Sequence, residues 1–210
     1  NYKGSPMMKK VLISQRRDNI GGRREIRDSL DIRWAKILFD LGFLPIPVCS
    51  ELYSSSHYIK ELMPDGILLS GGNDVGESPE RDHLETTLLD YSVANNIPVL
   101  GVCRGMQMFN HYLGGGLVNV NNHVATTHAL EGKWAKQRGY KLVNSYHKQA
   151  IKPLTVAQSL EVLATTPDGI VEAVKHSTLP WLGIMWHPER DSEVSRVDQE
   201  LIKELFGVEQ

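Results

Sequence analysis

Along the first half of the chain, short apolar runs bounded by turn residues alternate with stretches whose apolar positions recur three and four apart. Val11, Leu12 and Ile13 open a strand predicted over residues 11–14. Asp28 or Ser29 can then cap a helix carrying Leu30, Trp34, Ile37, Leu38 and Leu41, which Gly42 ends. Residues 43–48 hold two prolines and read as extended, and residues 57–62 as a short helix. Residues 66–70 are a fully buried strand running into Gly71-Gly72, and residues 80–95 a helix through Leu84, Leu88 and Tyr91. A second buried strand follows over 97–102, then a helix over 104–113 stopped by Gly114-Gly115-Gly116.

The second half has another rhythm. Strands are predicted over 141–146, 160–165, 170–174 and 181–186, with turns at 167–169 and 178–180 and no long helix between them. A helix over 195–205 closes the pattern. Alternation of strand and helix followed by clustered strands predicts an α/β fold. Its core is a doubly wound, mostly parallel, flavodoxin-like sheet with an antiparallel extension. Ligands of such sheets sit at the carboxyl ends of the strands, so chemistry is sought there.

Composition narrows the class. With 210 residues, 41% of them hydrophobic, residues 8–210 suffice for a single domain with a real core, and the chain is too apolar to be disordered. Residues 1–7 read as an artificial leader before a native start at Met7 or Met8, and no signal peptide is expected. No run approaches the roughly 20 apolar residues of a membrane span. A net charge of −2 gives no reason to expect nucleic acid. Two cysteines, Cys49 and Cys103, make neither a disulfide framework nor a four-thiolate zinc site. A cytoplasmic enzyme or binding protein, with a homodimer as an open option, is the expectation.

Charge is uneven. Through Arg33 there are nine Lys/Arg against four Asp/Glu, a bias carried by Arg16, Arg17, Arg23, Arg24, Arg27 and Arg33. Two readings stand: a solvated loop and first helix, or a cationic rim that attracts an anionic substrate.

The sharpest chemical signal is Gly101-Val102-Cys103-Arg104-Gly105-Met106-Gln107, a buried strand turning directly into a helix with cysteine at the corner. A strained corner needs small neighbours, and the helix N-terminus favours thiolate over thiol. Cys49 lacks flanking glycines and reads as structural. The last strand emerges at Trp186-His187-Pro188-Glu189. Residues two apart in an extended segment share a side, so Glu189 can orient His187 and leave one imidazole nitrogen for the thiol. After the neighbouring strand comes Ser70-Gly71-Gly72-Asn73-Asp74-Val75. A backbone N–H there, Gly72 in preference to Gly71, together with that of Arg104, can hold an oxyanion.

Together with Arg81-Asp82-x-x-Glu85, Val143-Asn144-Ser145-x-His147-x-Gln149 and Pro167-Asp168-Gly169-x-x-Glu172, these segments resemble the class I glutamine amidotransferase superfamily, with its Cys–His–Glu triad. Within it, the Asn-Ser-x-His-x-Gln segment and the arginine after the cysteine resemble the gamma-glutamyl hydrolase branch. The resemblance implies a cysteine hydrolase that cleaves a gamma-glutamyl amide through a thioester, with Cys103, His187 and Glu189 catalytic and no cofactor or metal. It implies that Gly71, Gln107, Asn144, Ser145 and His147 hold the small-molecule gamma-glutamyl substrate; for Ser145 and His147 a hydrogen-bonded network at the strand end is the alternative reading. A chemistry of similar short relatives, hydrolysis of gamma-glutamyl-CDP-amidate in capsule phosphoramidate synthesis, would suit the arginines, since guanidinium forks match a pyrophosphate. Two alternatives are a glutaminase subunit supplying ammonia to a synthase and a non-catalytic binding module. His123 and His128 have no Cys/His partner at zinc spacing and are not grouped as a metal site.

Overall fold

The structure is a computed structural model that describes residues 7–22 and 24–207. In chain order its elements are β1 (Lys9–Ile13), β2 (Arg16–Ile20), β3 (Glu25–Ser29), α1 (Ile32–Asp40), β4 (Phe43–Pro47), α2 (Ser56–Leu62), β5 (Gly66–Leu69), α3 (Pro79–Asn95), β6 (Val99–Val102), α4 (Arg104–Tyr112), β7 (Val118–Asn119), β8 (Val124–Ala129), α5 (Lys133–Arg138), β9 (Leu142–Tyr146), β10 (Gln149–Ala150), β11 (Leu160–Thr165), β12 (Val171–His176), β13 (Trp181–Ile184) and α6 (Arg196–Phe206).

Seven strands form the central sheet in the order β11-β12-β13-β6-β5-β1-β4. The five from β13 to β4 are parallel, and β12 and β11 extend the sheet antiparallel. This is the doubly wound sheet with an antiparallel extension that the pattern predicts. Every residue of β5, β6 and β13 is buried, as strands covered on both faces must be. Helix α1 contributes Trp34, Ile37 and Leu38 to the core, each worth about 1.5–3 kcal/mol of apolar burial. The register Leu69↔Gly101 and Val102↔Ile184 aligns the ends of β5, β6 and β13. The three chemistry-bearing segments, which follow those strands, therefore leave the sheet side by side. Among the described residues no helix is long and apolar enough to cross a membrane.

The first helix starts later than predicted. Residues 16–29 form a hairpin, with Arg16 opposite Ser29 and Ile20 opposite Glu25. Its turn passes through Gly22 at φ +75°, a conformation that glycine adopts without steric cost. Asp31 is the cap and accepts from the Arg33 N–H at 3.0 Å. Asp28 instead receives the Ser50 N–H and hydroxyl at 2.8 and 2.5 Å. Strand β8 and helix α5 are additions to the predicted elements. β8 is a half-exposed Val-Ala-Thr-Thr-His-Ala run without apolar periodicity, and only pairing with β9 defines it.

Candidate active site

Strand β6 ends at Val102, and Cys103 turns the chain into α4 with φ +53° and ψ −104°. Such a conformation costs a non-glycine residue about 1–3 kcal/mol and persists only where surroundings impose it. Here the Cys103 N–H donates to the Ile184 carbonyl at 2.7 Å, and its carbonyl accepts the Gln107 N–H at 3.1 Å. The flanking glycines are sterically required. A Cβ on Gly101 would lie 2.7 Å from the Gly105 carbonyl carbon, and one on Gly105 would run into the Leu69 carbonyl oxygen. Backbone thus packs on backbone, and the sulfur is presented at the mouth of α4.

His187 lines the same cavity as Cys103. It is extended at φ −114°, and the chain then makes one 3₁₀ turn over Pro188–Arg190 that brings Glu189 Oε1 within 2.7 Å of His187 Nδ1. The pairing expected from extended alternation exists, but the turn produces it. His187 Nε2 has no hydrogen-bond partner among the described residues. Burial opposes charge on the imidazole, but Cys103 and then Glu189 outweigh it, and the His187 pKa is pushed up to about 9. The ring is therefore charged at neutral pH, with its free edge toward the cavity.

The loop after β5 is shaped from behind. The buried Arg81 guanidinium donates to three carbonyls: Nη2 to Ser70 at 2.7 Å and Gly71 at 3.1 Å, and Nη1 to Gly72. In a planar trans peptide the N–H points opposite the carbonyl. Holding the Gly71 carbonyl therefore turns the Gly72 N–H away from Arg81, and Gly72 lines the cavity with Cys103 and Arg104. Arg81 pairs with Glu85, which also receives the Ser14 hydroxyl and Arg104, while Arg104 reaches Asp82 as well. Burial lowers the Arg81 pKa to about 10, with the Glu85 charge as the largest opposing influence. Burial likewise works against the Glu85 carboxylate, but Arg104, Arg81 and Ser14 hold it below its ordinary range. The Arg-Asp-x-x-Glu motif is thus a buried charge network joining α3 to both the loop and the elbow.

A family described as glutamine amidotransferase class-I matches residues 43–206. The chain belongs to that family. It is 32% identical over 194 residues to the gamma-glutamyl-CDP-amidate hydrolase of Campylobacter jejuni, covering 88% of this chain and 90% of that protein. It is 28% identical over 205 residues to the gamma-glutamyl-gamma-aminobutyrate hydrolase of Escherichia coli, covering 78% and 80%. A solved glutamine amidotransferase from Thermotoga maritima superposes with a TM-score of 0.66 at 15% identity, covering 95% of this chain and 84% of that one, which supports the fold.

In this class-I glutamine amidotransferase several residues expected to touch substrate do other work. Asn144 clamps the His187 backbone: its Oδ1 accepts the His187 N–H at 2.9 Å, and its Nδ2 donates to the His187 carbonyl at 2.8 Å and to Asp191 at 2.9 Å. Ser145 is fully buried and donates to the His123 carbonyl at 2.8 Å. Gly71 lies under the His187 ring, where a Cβ would meet Cε1 at 2.7 Å. None of these three lines the cavity with the thiol, whereas Gln107 and His147 do. Gln107 Nε2 donates to the Gln149 carbonyl at 2.7 Å.

The arginine segment also divides. Arg17 is committed, donating to Ser50 at 2.9 Å and Glu51 at 3.2 Å, and its side chain is only 9% exposed. Arg27 pairs with Glu25 at 2.6 Å on the hairpin surface, Arg24 is exposed, and Arg23 lies outside the described residues. Arg16 rests against Gly72 while its Nε bonds Asp18 at 2.7 Å, and Arg33 lines a groove beside Glu189. Besides Arg104 and His187, the cavity is lined by the cations Lys148 and Arg190, neither of which the sequence pattern singles out. Arg190 directly follows the His-Pro-Glu motif, and that adjacency is the signal that could have found it. It lies 4.4 Å over the Tyr146 ring, which meets His187 edge-on at 5.8 Å.

Proposed function

We propose that this chain hydrolyses a gamma-glutamyl amide bond, with Cys103 as nucleophile, His187 as general acid and base, and Glu189 orienting the imidazole. The observation that carries this reading is the convergence, in one cavity, of a strained glycine-flanked cysteine and a charged histidine paired to a carboxylate. The sulfur attacks the side-chain carbonyl carbon and a C–S bond forms. The oxyanion is received by the N–H groups of Gly72 and Arg104, a donor of this kind being worth about 2.7–4 kcal/mol. Collapse breaks the C–N bond as the His187 imidazolium hands its Nε2 proton to the departing nitrogen. His187 then takes a proton from water, which attacks the thioester, breaks the C–S bond and releases glutamate. The cytoplasm suits an enzyme whose nucleophile must remain a reduced thiol.

Gamma-glutamyl-CDP-amidate is the substrate we favour. Support comes from similarity spanning nearly the whole Campylobacter hydrolase and from the cations Lys148, Arg190 and Arg16 at the rim, which suit a pyrophosphate. Glutamate release followed by mass spectrometry from gamma-glutamyl-CDP-amidate, gamma-glutamyl-gamma-aminobutyrate and glutamine tests both levels. The nucleotide compound should give the highest kcat/KM, and Cys103→Ala should abolish turnover of all three. Turnover that survives Cys103→Ala overturns the mechanism. Preference for either of the other two substrates overturns the substrate assignment alone.

A further inference from the structure

Beside the cavity, which His147 lines, the fold gathers three histidines that the proposed reaction does not use. His123 precedes β8, His128 lies on it, and His147 follows β9. One ring nitrogen of each lies within 4.8 Å of the others. The rings of His123 and His128 stand 4.3 Å apart by centroid, and those of His123 and His147 stand 5.0 Å apart. His123 and His147 are almost wholly buried.

Their hydrogen bonds set which nitrogen faces inward. His123 Nε2 lies 3.0 Å from the Asp168 carboxylate, and His147 Nδ1 lies 3.0 Å from the Gln149 carbonyl. Both partners only accept, so those two nitrogens carry protons, and in a ring with a single proton the opposite nitrogen carries a lone pair. Those opposite atoms, His123 Nδ1 and His147 Nε2, are buried without a hydrogen-bond partner among the described residues, as is His128 Nε2. Glu172 is fully buried beside them, 3.4 Å from His147 Nε2, and neither of its oxygens has a hydrogen-bond partner among the described residues. Ring nitrogens without hydrogen-bond partners therefore gather next to a buried carboxylate that has none among the described residues. Burying such groups unpaired is expensive, and a cation between them would satisfy all of them at once.

We propose that His123, His128 and His147 bind a divalent transition metal of the zinc type, next to the Glu172 carboxylate. Imidazole nitrogens with a carboxylate near by suit zinc, and ligands on a tetrahedral zinc stand about 3.3 Å apart, a short rotamer adjustment from their present spacing. Asp168 and the Gln149 carbonyl supply the outer hydrogen bonds that orient metal-bound histidines. The metal would brace the segment carrying Asn144 and Tyr146, and through them the position of His187. The competing arrangement is a doubly protonated His147 that simply pairs with Glu172.

The test uses Cys103→Ala protein, so that the thiol cannot bind metal, stripped with a chelator and titrated with Zn²⁺ by calorimetry and with Co²⁺ by visible absorption. About one equivalent of Zn²⁺ should bind and raise Tm, and Co²⁺ should give nitrogen-ligated tetrahedral bands without a thiolate band. His128→Gln, at the most exposed of the three sites, should fold by circular dichroism and bind at least about tenfold more weakly, with Gln replacement of His123 as a second check. Absence of Zn²⁺ and Co²⁺ binding, or binding unchanged in both folded variants, overturns the proposal. So does a His147 ring that remains doubly protonated by NMR at neutral pH in the presence of Zn²⁺.

Discussion

Replacing Glu85 by glutamine keeps the shape of the side chain and removes one charge from the centre of the network behind the site. Glu85 is fully buried and serves two guanidiniums together with the Ser14 hydroxyl, whose bond is 2.7 Å long. In Glu85→Gln, one acceptor becomes an amide donor facing arginine donors. Arg81 and Arg104 are then left with Asp82 as their shared carboxylate, and Asp82 is partly exposed. Breaking a buried ion pair from one side costs about 3–5 kcal/mol, and service to two cations puts this case in the upper half of that range. Against a total stability of about 5–15 kcal/mol, that is a large fraction. Urea denaturation should show the midpoint falling by about 1.5–2 M. Adding Arg104→Met removes the orphaned guanidinium and should recover part of the loss, giving a coupling of at least about 1 kcal/mol in a double-mutant cycle. The Glu85 pKa is held low in the folded state, so its stabilisation is present above the ordinary carboxylate range and is lost as pH falls through the folded value. Glu85→Gln should lack that acid-side slope. A loss below about 1 kcal/mol, the level of an exposed ion pair, or strict additivity with Arg104→Met, would refute the reasoning.

Two further outcomes follow from the strain at the elbow and the charge beside it. Cys103→Gly should abolish turnover yet raise stability by about 1 kcal/mol. Relief of the positive φ exceeds the entropy that glycine adds to the unfolded chain, and a fall in thermal midpoint would count against stored strain. In Cys103→Ala, the His187 pKa followed by imidazole NMR should drop from about 9, because burial would then be opposed by Glu189 alone. The raised pKa stabilises the fold fully below about 6.5, the unfolded value, and that contribution fades as pH rises through about 9, so the variant should show a flatter stability profile across this window. An unchanged His187 titration would show that the thiol does not support the imidazolium.

The parts of the site legible in the chain were those encoded locally. Gly101 and Gly105 around Cys103 announce a backbone too crowded for side chains, and buried runs before Ser70, Cys103 and Trp186 mark parallel strands whose ends carry chemistry. His187 and Glu189 are two residues apart, so any turn or strand could join them. The roles of Asn144, Ser145 and Arg17 were not legible, because their partners lie 43, 22 and 33 positions away. A polar side chain named by sequence as a substrate ligand can equally fasten the backbone of the residue beside it, and only the neighbours brought by folding distinguish the two. The hairpin at residues 16–29 is hidden for a related reason: its charged faces carry no apolar period, and its pairing is with itself.

By itself the sequence determined the sheet class, the corner at Cys103 and the residues able to perform nucleophilic and acid–base chemistry, because glycine sterics and apolar periodicity act over a few neighbouring positions. Tertiary structure decided that Arg81 holds the carbonyls of the loop after β5, that Asn144 holds His187, and that His123 and His128 come together with His147, which follows β9. Those arrangements depend on strand order and register, which bring together groups tens of residues apart and bury them where every unpaired polar atom must be answered by something else.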